Sequence, residues 1–511
     1  MTPWFVPVFT VQLVTSDVNF IEKIINDEKE QVMKREINRR QLLQLTAAGT
    51  AAYLAGRNIS TFGAGPQKSN LISPGCRRSK VKVAKIYMGI PQSHYPNPDL
   101  DLKKEVRFYE SEFSKLNNEL ADVDFVVDRL ISSVEQLNQF KDKLKDVDGI
   151  LAIHLTLWTM PIINEILQLN LPTTIFSAPY SGHEWHNLTA LYKQQKYHNL
   201  ECFLTSDYSQ LAAAVRPFRA IHHLREAKIL NLAAQSPNDY ADQMKTKFGT
   251  EIKQITLQRV LTAYNAIDDK KAQAEADKWI KGALQMIEPT KEQIFKSCKL
   301  ALAFEKLLDE EDATVMTVDC YGSMYTPLCR AHAFPCIGFT RLNDMGFGGI
   351  CQSDLPCAMT HILFQGLSGR PGFVNNPGFD FSKNCAVLIH CMGTTKMDGP
   401  NGPSAPYKLR SIMERREGAV PQVKMRIGQK VTQAVLMGTS KLLYFTGRIV
   451  DTPETDRGCR TKITVKVDGD AEKLWKNWAN GIHRVTCYED LTKELQHLCR
   501  FKQIEMVNEA V

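Results

Sequence analysis

The sequence has no apolar run long enough to make a secure transmembrane helix. It has no Cys-x-x-Cys pair, and its 13 cysteines are an odd number in a chain too long to need staples. Neither a disulfide scaffold nor a zinc-finger framework is therefore expected, and buried free thiols are. No G-x-G-x-x-G follows the first strand-like segment, so no dinucleotide is expected. Gly346, Gly348 and Gly349 are not followed by Lys-Ser/Thr, so they read as a turn and not as a phosphate loop. The excess of Lys and Arg is mild, with a formal net charge of +7, and is not gathered into a basic stripe interleaved with aromatics. Nucleic acid is accordingly not expected as a partner.

What is present is a globular composition, 43% hydrophobic and 23% charged, over 511 residues. That length calls for two or three cores. Residues 81–89 alternate apolar and polar and end in Gly, as a first strand would; 105–121 is helix-periodic; 123–127 is a second strand. Helices over 134–144 and 160–169 alternate with strands over 149–154 and 173–177. This is the order of βαβ units on a parallel sheet, with His154, Ser177 and the loop 180–186 at or beyond strand carboxyl ends, the edge where open α/β sheets host ligands. A second α/β unit follows, with strands over 228–233 and 314–318 and helices over 272–287 and 291–308. Beyond Asn375 the texture changes to strand-like runs over 385–390, 422–427, 430–437, 441–450 and 460–467, separated by Gly, Pro and Asp. The expected fold class is α/β: two Rossmann-like units, 81–226 and 227–374, then a β-rich antiparallel sheet or small barrel, 375–511.

The first 80 residues form an extension. From Met33 a basic stretch with Arg39-Arg40 is followed by Leu42-Leu43 and a short, Ala-rich apolar run to Ala55. Residues 57–80 are rich in Gly, Ser, Pro and basic residues, like a linker. This order resembles a twin-arginine export signal and implies the twin-arginine machinery as a partner, with Met33 as the start of translation and a periplasmic or exported destination. An amphipathic surface helix carrying two arginines, in a cytoplasmic protein, is the alternative.

The densest signal lies at 318–391. It runs from Val318-Asp319-Cys320-Tyr321-Gly322 through Phe334-Pro335-Cys336, Asp344-Met345-Gly346 and Cys351-Gln352-Ser353-Asp354. Leu367-Ser368-Gly369-Arg370-Pro371 and Asn375-Asn376 follow, and a strand ending in His390-Cys391 closes it. Gly481-Ile482-His483-Arg484 stands near the carboxyl terminus. The order of these motifs resembles the L-fucose/L-arabinose isomerase superfamily over roughly residues 81–511. In that family a Glu, an Asp and a late His hold a divalent ion, typically Mn2+, on O1 and O2 of an open-chain aldose, and the carboxylates move protons for the enediol step. Carried over by position, the Glu falls on Gln352, the Asp on Asn375 or Asn376, and the His on His483. Both carboxylates are thus amides, which carry no charge and are not bases at neutral pH.

Asp354 could supply a carboxylate at the site, and on a strand it would share a face with Gln352; as a plain structural residue it would cap the next helix. Gln352, Asp354 and Asn376 are the candidate catalytic residues, with His483 and Asp354 as metal ligands. His390, Asp344, Trp185 and Asn375 are the candidate sugar-binding residues. Core packing is the alternative for His390 and Trp185. The resemblance implies a sugar ligand, a trimer or hexamer of identical chains, and aldose–ketose isomerisation. The amides leave open a non-catalytic sugar-binding protein, or a metal-independent carbohydrate reaction.

Overall fold

The computed structural model describes residues 80–194, 197–479 and 481–511, all within one compact unit. The twin-arginine segment lies outside the described residues. No helix among them is long and apolar enough to cross a membrane.

The first sheet is parallel, in the order β2-β1-β3-β4-β5: β1 Val81–Met88, β2 Val123–Ile131, β3 Gly149–His154, β4 Thr173–Ser177 and β5 Leu200–Leu204. Strands β3 and β4 are buried along their whole length, as expected where helices cover both faces of a parallel sheet. Lys85 on β1 is 2% exposed and is held by ion pairs to Glu110 and Asp128. A buried charge is tolerable only with such partners.

The second sheet, also parallel, runs β7-β6-β8-β9: β6 Lys228–Leu232, β7 Glu251–Gln254, β8 Val315–Val318 and β9 Gly348–Cys351. Gly348 and Gly349 belong to β9 and not to the turn expected of them. A Cβ on Gly349 would lie 2.3 Å from the Phe339 Cα, so glycine here lets strand and helix backbones approach.

The β-rich unit is a barrel. Strands β10 Phe373–Asp380, β11 Cys385–His390, β14 Lys430–Met437, β15 Lys441–Asp451, β16 Thr461–Val467 and β17 Arg484–Tyr488 pair in the cycle β14-β17-β10-β11-β16-β15, closed by β14–β15. Every pair in this cycle is antiparallel. Strand β18, Glu505–Asn508, adds in parallel outside β15. A short ribbon of β12 Tyr407–Arg410 and β13 Val420–Val423 stands beside the barrel. Two parallel α/β units followed by an antiparallel barrel is the fold class expected from the sequence.

Local differences have local causes. The helix expected over 272–287 stops at Gly282, because Leu284 and Ile287 donate backbone hydrogen bonds to Tyr407 and Leu409 instead. The helix expected over 134–144 is a short α-helix, Val134–Asn138, then a 3-10 turn, Lys141–Asp146. Helix Arg216–Glu226, assigned from sequence to the first unit, packs against helix Leu355–Ser368 of the second. Ala220 sits so close to Gly366 that a Cβ there would meet the Ala220 Cα at 2.5 Å.

Candidate functional site

Strand β9 ends at Cys351, and the chain turns sharply. Gln352 and Ser353 are consecutive non-glycine residues in the left-handed region, with φ of 60° and 54°. Each such residue costs of order 1–3 kcal/mol unless its surroundings hold it there. Here the Ser353 N–H donates to the Val318 carbonyl at 3.1 Å, and the Ser353 hydroxyl donates to Asn231 Oδ1 at the end of β6. Because residues 352–354 are not a strand, Gln352 and Asp354 do not share a sheet face, contrary to the expectation from sequence. The turn instead delivers Asp354 to the N-cap of helix Leu355–Ser368, where Oδ1 accepts the Cys357 N–H at 2.9 Å.

The same carboxylate does a second task. Its Oδ2 pairs with His483 Nδ1 at 2.9 Å. Burial acts to raise the Asp354 carboxyl, but the His483 hydrogen bond and the Cys357 donor outweigh it and hold it below its ordinary value. His483 stands immediately before β17 and is 3% exposed, and its Nε2 is buried without a hydrogen-bond partner. The His390 ring lies against it at a centroid distance of 5.4 Å and 69° between planes. His390 ends β11, is 1% exposed, and has both ring nitrogens unpartnered. Burial, and then the neighbouring His483, push His390 down to about 3, so its ring is neutral at neutral pH.

Asn376 lies on β10, between β11, which ends at His390, and β17, which His483 immediately precedes. It pairs across the sheet with Ile389, next to His390, and follows Asn375, which pairs with Arg484, next to His483. Its Oδ1 is also buried and unpartnered. Tyr240 was not foreseen from sequence. Its hydroxyl is buried without a partner, and burial first, then the Asp354 charge, raise it. An unpaired buried polar group costs about 1–3 kcal/mol. His390 Nδ1 and Nε2, His483 Nε2 and Asn376 Oδ1 are thus buried polar atoms without partners on or beside adjacent barrel strands, and the two imidazoles lie ring against ring.

The other sequence candidates sit elsewhere or are committed. Asn375 is fully buried; its Nδ2 donates to the Phe373 carbonyl at 2.7 Å and to Thr486 Oγ1 at 2.9 Å, and its Oδ1 accepts from Gln433 at 2.6 Å. Of the adjacent amides, it is Asn376 that has an oxygen to offer. Asp344 accepts from the Thr395 N–H (2.8 Å), the Thr395 hydroxyl (2.5 Å) and the Lys396 N–H (2.8 Å), so it staples a loop. Burial raises its carboxyl to about 6 despite those donors.

Trp185 opens helix Trp185–Tyr192 at the edge of the first sheet. Beside it, His154 bridges Ser177 (3.2 Å) and Glu184 (3.0 Å), and Glu184 also accepts from the Thr159 hydroxyl (2.7 Å) and the Trp158 N–H (3.1 Å). In that cluster His154, Ser177, Thr159 and Glu184 are buried and hydrogen-bonded to one another. Among the described residues no hydrogen bond or ring contact joins Trp185 to the Asp354–His483 pair.

The donors fit Mn2+ poorly. Manganese favours carboxylate, carbonyl and water oxygens. The free donors are two imidazoles and one amide oxygen, and the carboxylate stands behind His483 with both oxygens engaged.

No family model matches the chain. A sulfoquinovose isomerase of Clostridium sp. (strain MSTE9) is similar to it at 20% identity over 473 residues, covering 84% of this chain and 99% of that protein. The likeness thus extends through the α/β units and the barrel alike. It supports a sugar-isomerase-like carbohydrate protein.

Proposed function

We propose that the chain acts on an open-chain monosaccharide or monosaccharide derivative by aldose–ketose isomerisation, with His483 as the proton-transfer base. The observation that carries this reading is the Asp354–His483 hydrogen bond, which fixes one ring nitrogen and leaves Nε2 free beside His390. A carboxylate on Nδ1 orients the imidazole and stabilises the imidazolium formed when Nε2 takes a proton. In the proposed step His483 Nε2 takes the proton from C2 of the aldose. The C–H electron pair becomes the C1=C2 bond of an enediol, and O1 gains a proton. Return of a proton to C1, with loss of the O2 proton, gives the ketose. Neutral His390 has one N–H to donate and one lone pair to accept, which suits protons moving on O1 and O2. Gln352, Asn376 and the Tyr240 hydroxyl supply uncharged donors and acceptors around the substrate hydroxyls. The sulfonated sugar named for the similar Clostridium protein belongs in the substrate panel beside neutral hexoses.

The experiment is incubation of the chain with that panel in D2O, read by proton NMR. Deuterium entering C2 of the aldose or C1 of the ketose, and lost in His483→Gln, supports the reading. No exchange with any sugar refutes it. Saturable sugar binding without exchange would select the second reading, a non-catalytic receptor, which Gln352 and Asn376 favour as neutral amides.

A further inference from the structure

Immediately after His390 in sequence the chain contributes to a different donor set. Cys391 directly follows β11, Glu414 lies in the turn between β12 and β13, and Cys459 stands two residues before β16. One ligand atom from each lies within 4.8 Å of the others. Cys459 Sγ is 3.0 Å from Glu414 Oε1. Cys391 and Cys459 are half-buried and Glu414 is exposed, so the group is reachable from solvent.

We propose that Cys391, Glu414 and Cys459 form a binding site for a borderline-soft divalent cation, of which Zn2+ is the type. Two sulfurs and a carboxylate oxygen make a recognised zinc donor set, and thiolates select against manganese, magnesium and calcium. Tetrahedral zinc with Zn–S bonds of about 2.3 Å places its two sulfurs about 3.8 Å apart, so donors that lie within 4.8 Å of one another need only small shifts, with the Cys459–Glu414 pair at 3.0 Å opening slightly. Three protein ligands leave the fourth position for water, as in open zinc sites. Binding releases two thiol protons to solvent and forms two Zn–S bonds and one Zn–O bond, with no change of oxidation state. The excess negative charge of two thiolates and a carboxylate on one dication is offset by Lys462 and Arg460. Each of these cations is in electrostatic reach of the group: Lys462 of Cys459, and Arg460 of Glu414.

Such an ion would clip the β12–β13 turn to the exit of β11 and the entry of β16, two strand ends that already pair with each other at His390 and Thr461. That turn is bound to itself by the Ile412 N–H to Glu417 carbonyl bond (2.9 Å) and the Arg416 N–H to Ile412 carbonyl bond (2.8 Å). Glu414 is thereby presented by a turn that is already shaped. The site is separate from the Asp354–His483–His390 group in donor chemistry and does not depend on the activity proposed for it.

The test uses the full chain, reduced and stripped with a chelator, then titrated with Co2+ as a spectroscopic substitute and with Zn2+ in competition. A thiolate-to-cobalt charge-transfer band in the near ultraviolet, saturating near one ion per chain and discharged by Zn2+, is expected. Imidazole and carboxylate sites do not give that band, so binding at His483 is distinguished. Cys391→Ser and Cys459→Ser should each abolish the band and weaken Zn2+ at least about a hundredfold, since even losing an outer-shell partner costs 10–100-fold. Cys202→Ser, on the first sheet, should leave it unchanged. Three results would overturn the proposal: no band, a band that survives both serine variants, or recovery of Cys391 and Cys459 as a disulfide that reductant opens without restoring binding.

Discussion

Asp354 has two tasks, and two substitutions separate them. Its Oδ1 caps a helix and its Oδ2 orients a histidine. Asn is as good an N-cap as Asp, so Asp354→Asn keeps the Cys357 N–H satisfied. Asp354→Ala loses the cap, at about 0.5–2 kcal/mol, and leaves the His483 Nδ1 proton unpartnered in a buried place, at a further 1–3 kcal/mol or so. The expected stability order is wild type, then Asn lower by roughly 1 kcal/mol, then Ala lower by about 1.5–5 kcal/mol, measured as urea midpoints with unchanged slope.

Activity should divide differently. Both variants lose the carboxylate that supports an imidazolium on His483, so both should lose deuterium exchange by about 10²–10⁴-fold. The signature is thus a variant nearly as stable as wild type yet nearly as inactive as the alanine variant. If Asp354→Asn keeps its exchange rate, the Asp354–His483 pair is a structural staple and His483 is not the base. If it is instead as unstable as Asp354→Ala, the cap argument fails.

Three further outcomes follow from the same geometry. His223 is fully buried, and burial pushes it down to about 3, so the native state excludes a proton that the unfolded chain binds below about pH 6.5. Stability should therefore be intact above that pH and fall as pH drops from 6.5 towards 3, by at most about 1.4 kcal/mol per pH unit from this residue; His223→Gln should flatten the urea midpoint profile by that share. Glu509 and Arg484 are each 1% exposed and paired at 2.9 Å, so Glu509→Gln removes one charge of a buried ion pair and should cost up to about 3–5 kcal/mol in denaturant unfolding. Gln352→Glu with Asn376→Asp puts two carboxylates beside His483, and calorimetric titration should then show Mn2+ binding well above wild type; no gain would mean these side chains do not converge on one ion.

How much of this could be read from the sequence depends on whether a signal is local. The strand residues 149–154 and 173–177 are buried on both faces and bounded by turn residues, so their runs were legible, and the change to β-rich texture after Asn375 was visible in composition. The barrel's closure was not. Strand β10 carries Asn, Asn, Pro and Gly in its middle, a poor strand by propensity, and is formed by its two neighbours β11 and β17. Glycine-rich β9 read as a turn for the same reason: close packing on Phe339 requires it, and no local pattern announces that.

At the site, Asp354 could be read both as a helix cap and as a carboxylate near Gln352, and the geometry joins the first reading to a different partner. Its hydrogen-bond partner is 129 residues away, because the second sheet's carboxyl edge meets the barrel there. The family resemblance named Gln352, Asn376 and His483 by order alone, without the contact that gives His483 a fixed ring. Tyr240 had no signal at all: a tyrosine two residues into a polar helix, Asn238–Phe248, looks like surface until the helix packs and leaves its hydroxyl inside. A strained turn of two non-glycine residues is equally silent in sequence, since only glycine marks left-handed backbone by its identity. Gln352 and Ser353 adopt it because Val318 and Asn231 hold Ser353 from two different strands. The turn's cost is therefore met by the second sheet, and its product is the placement of Asp354 where one carboxylate reaches both the helix it begins and the histidine of the barrel.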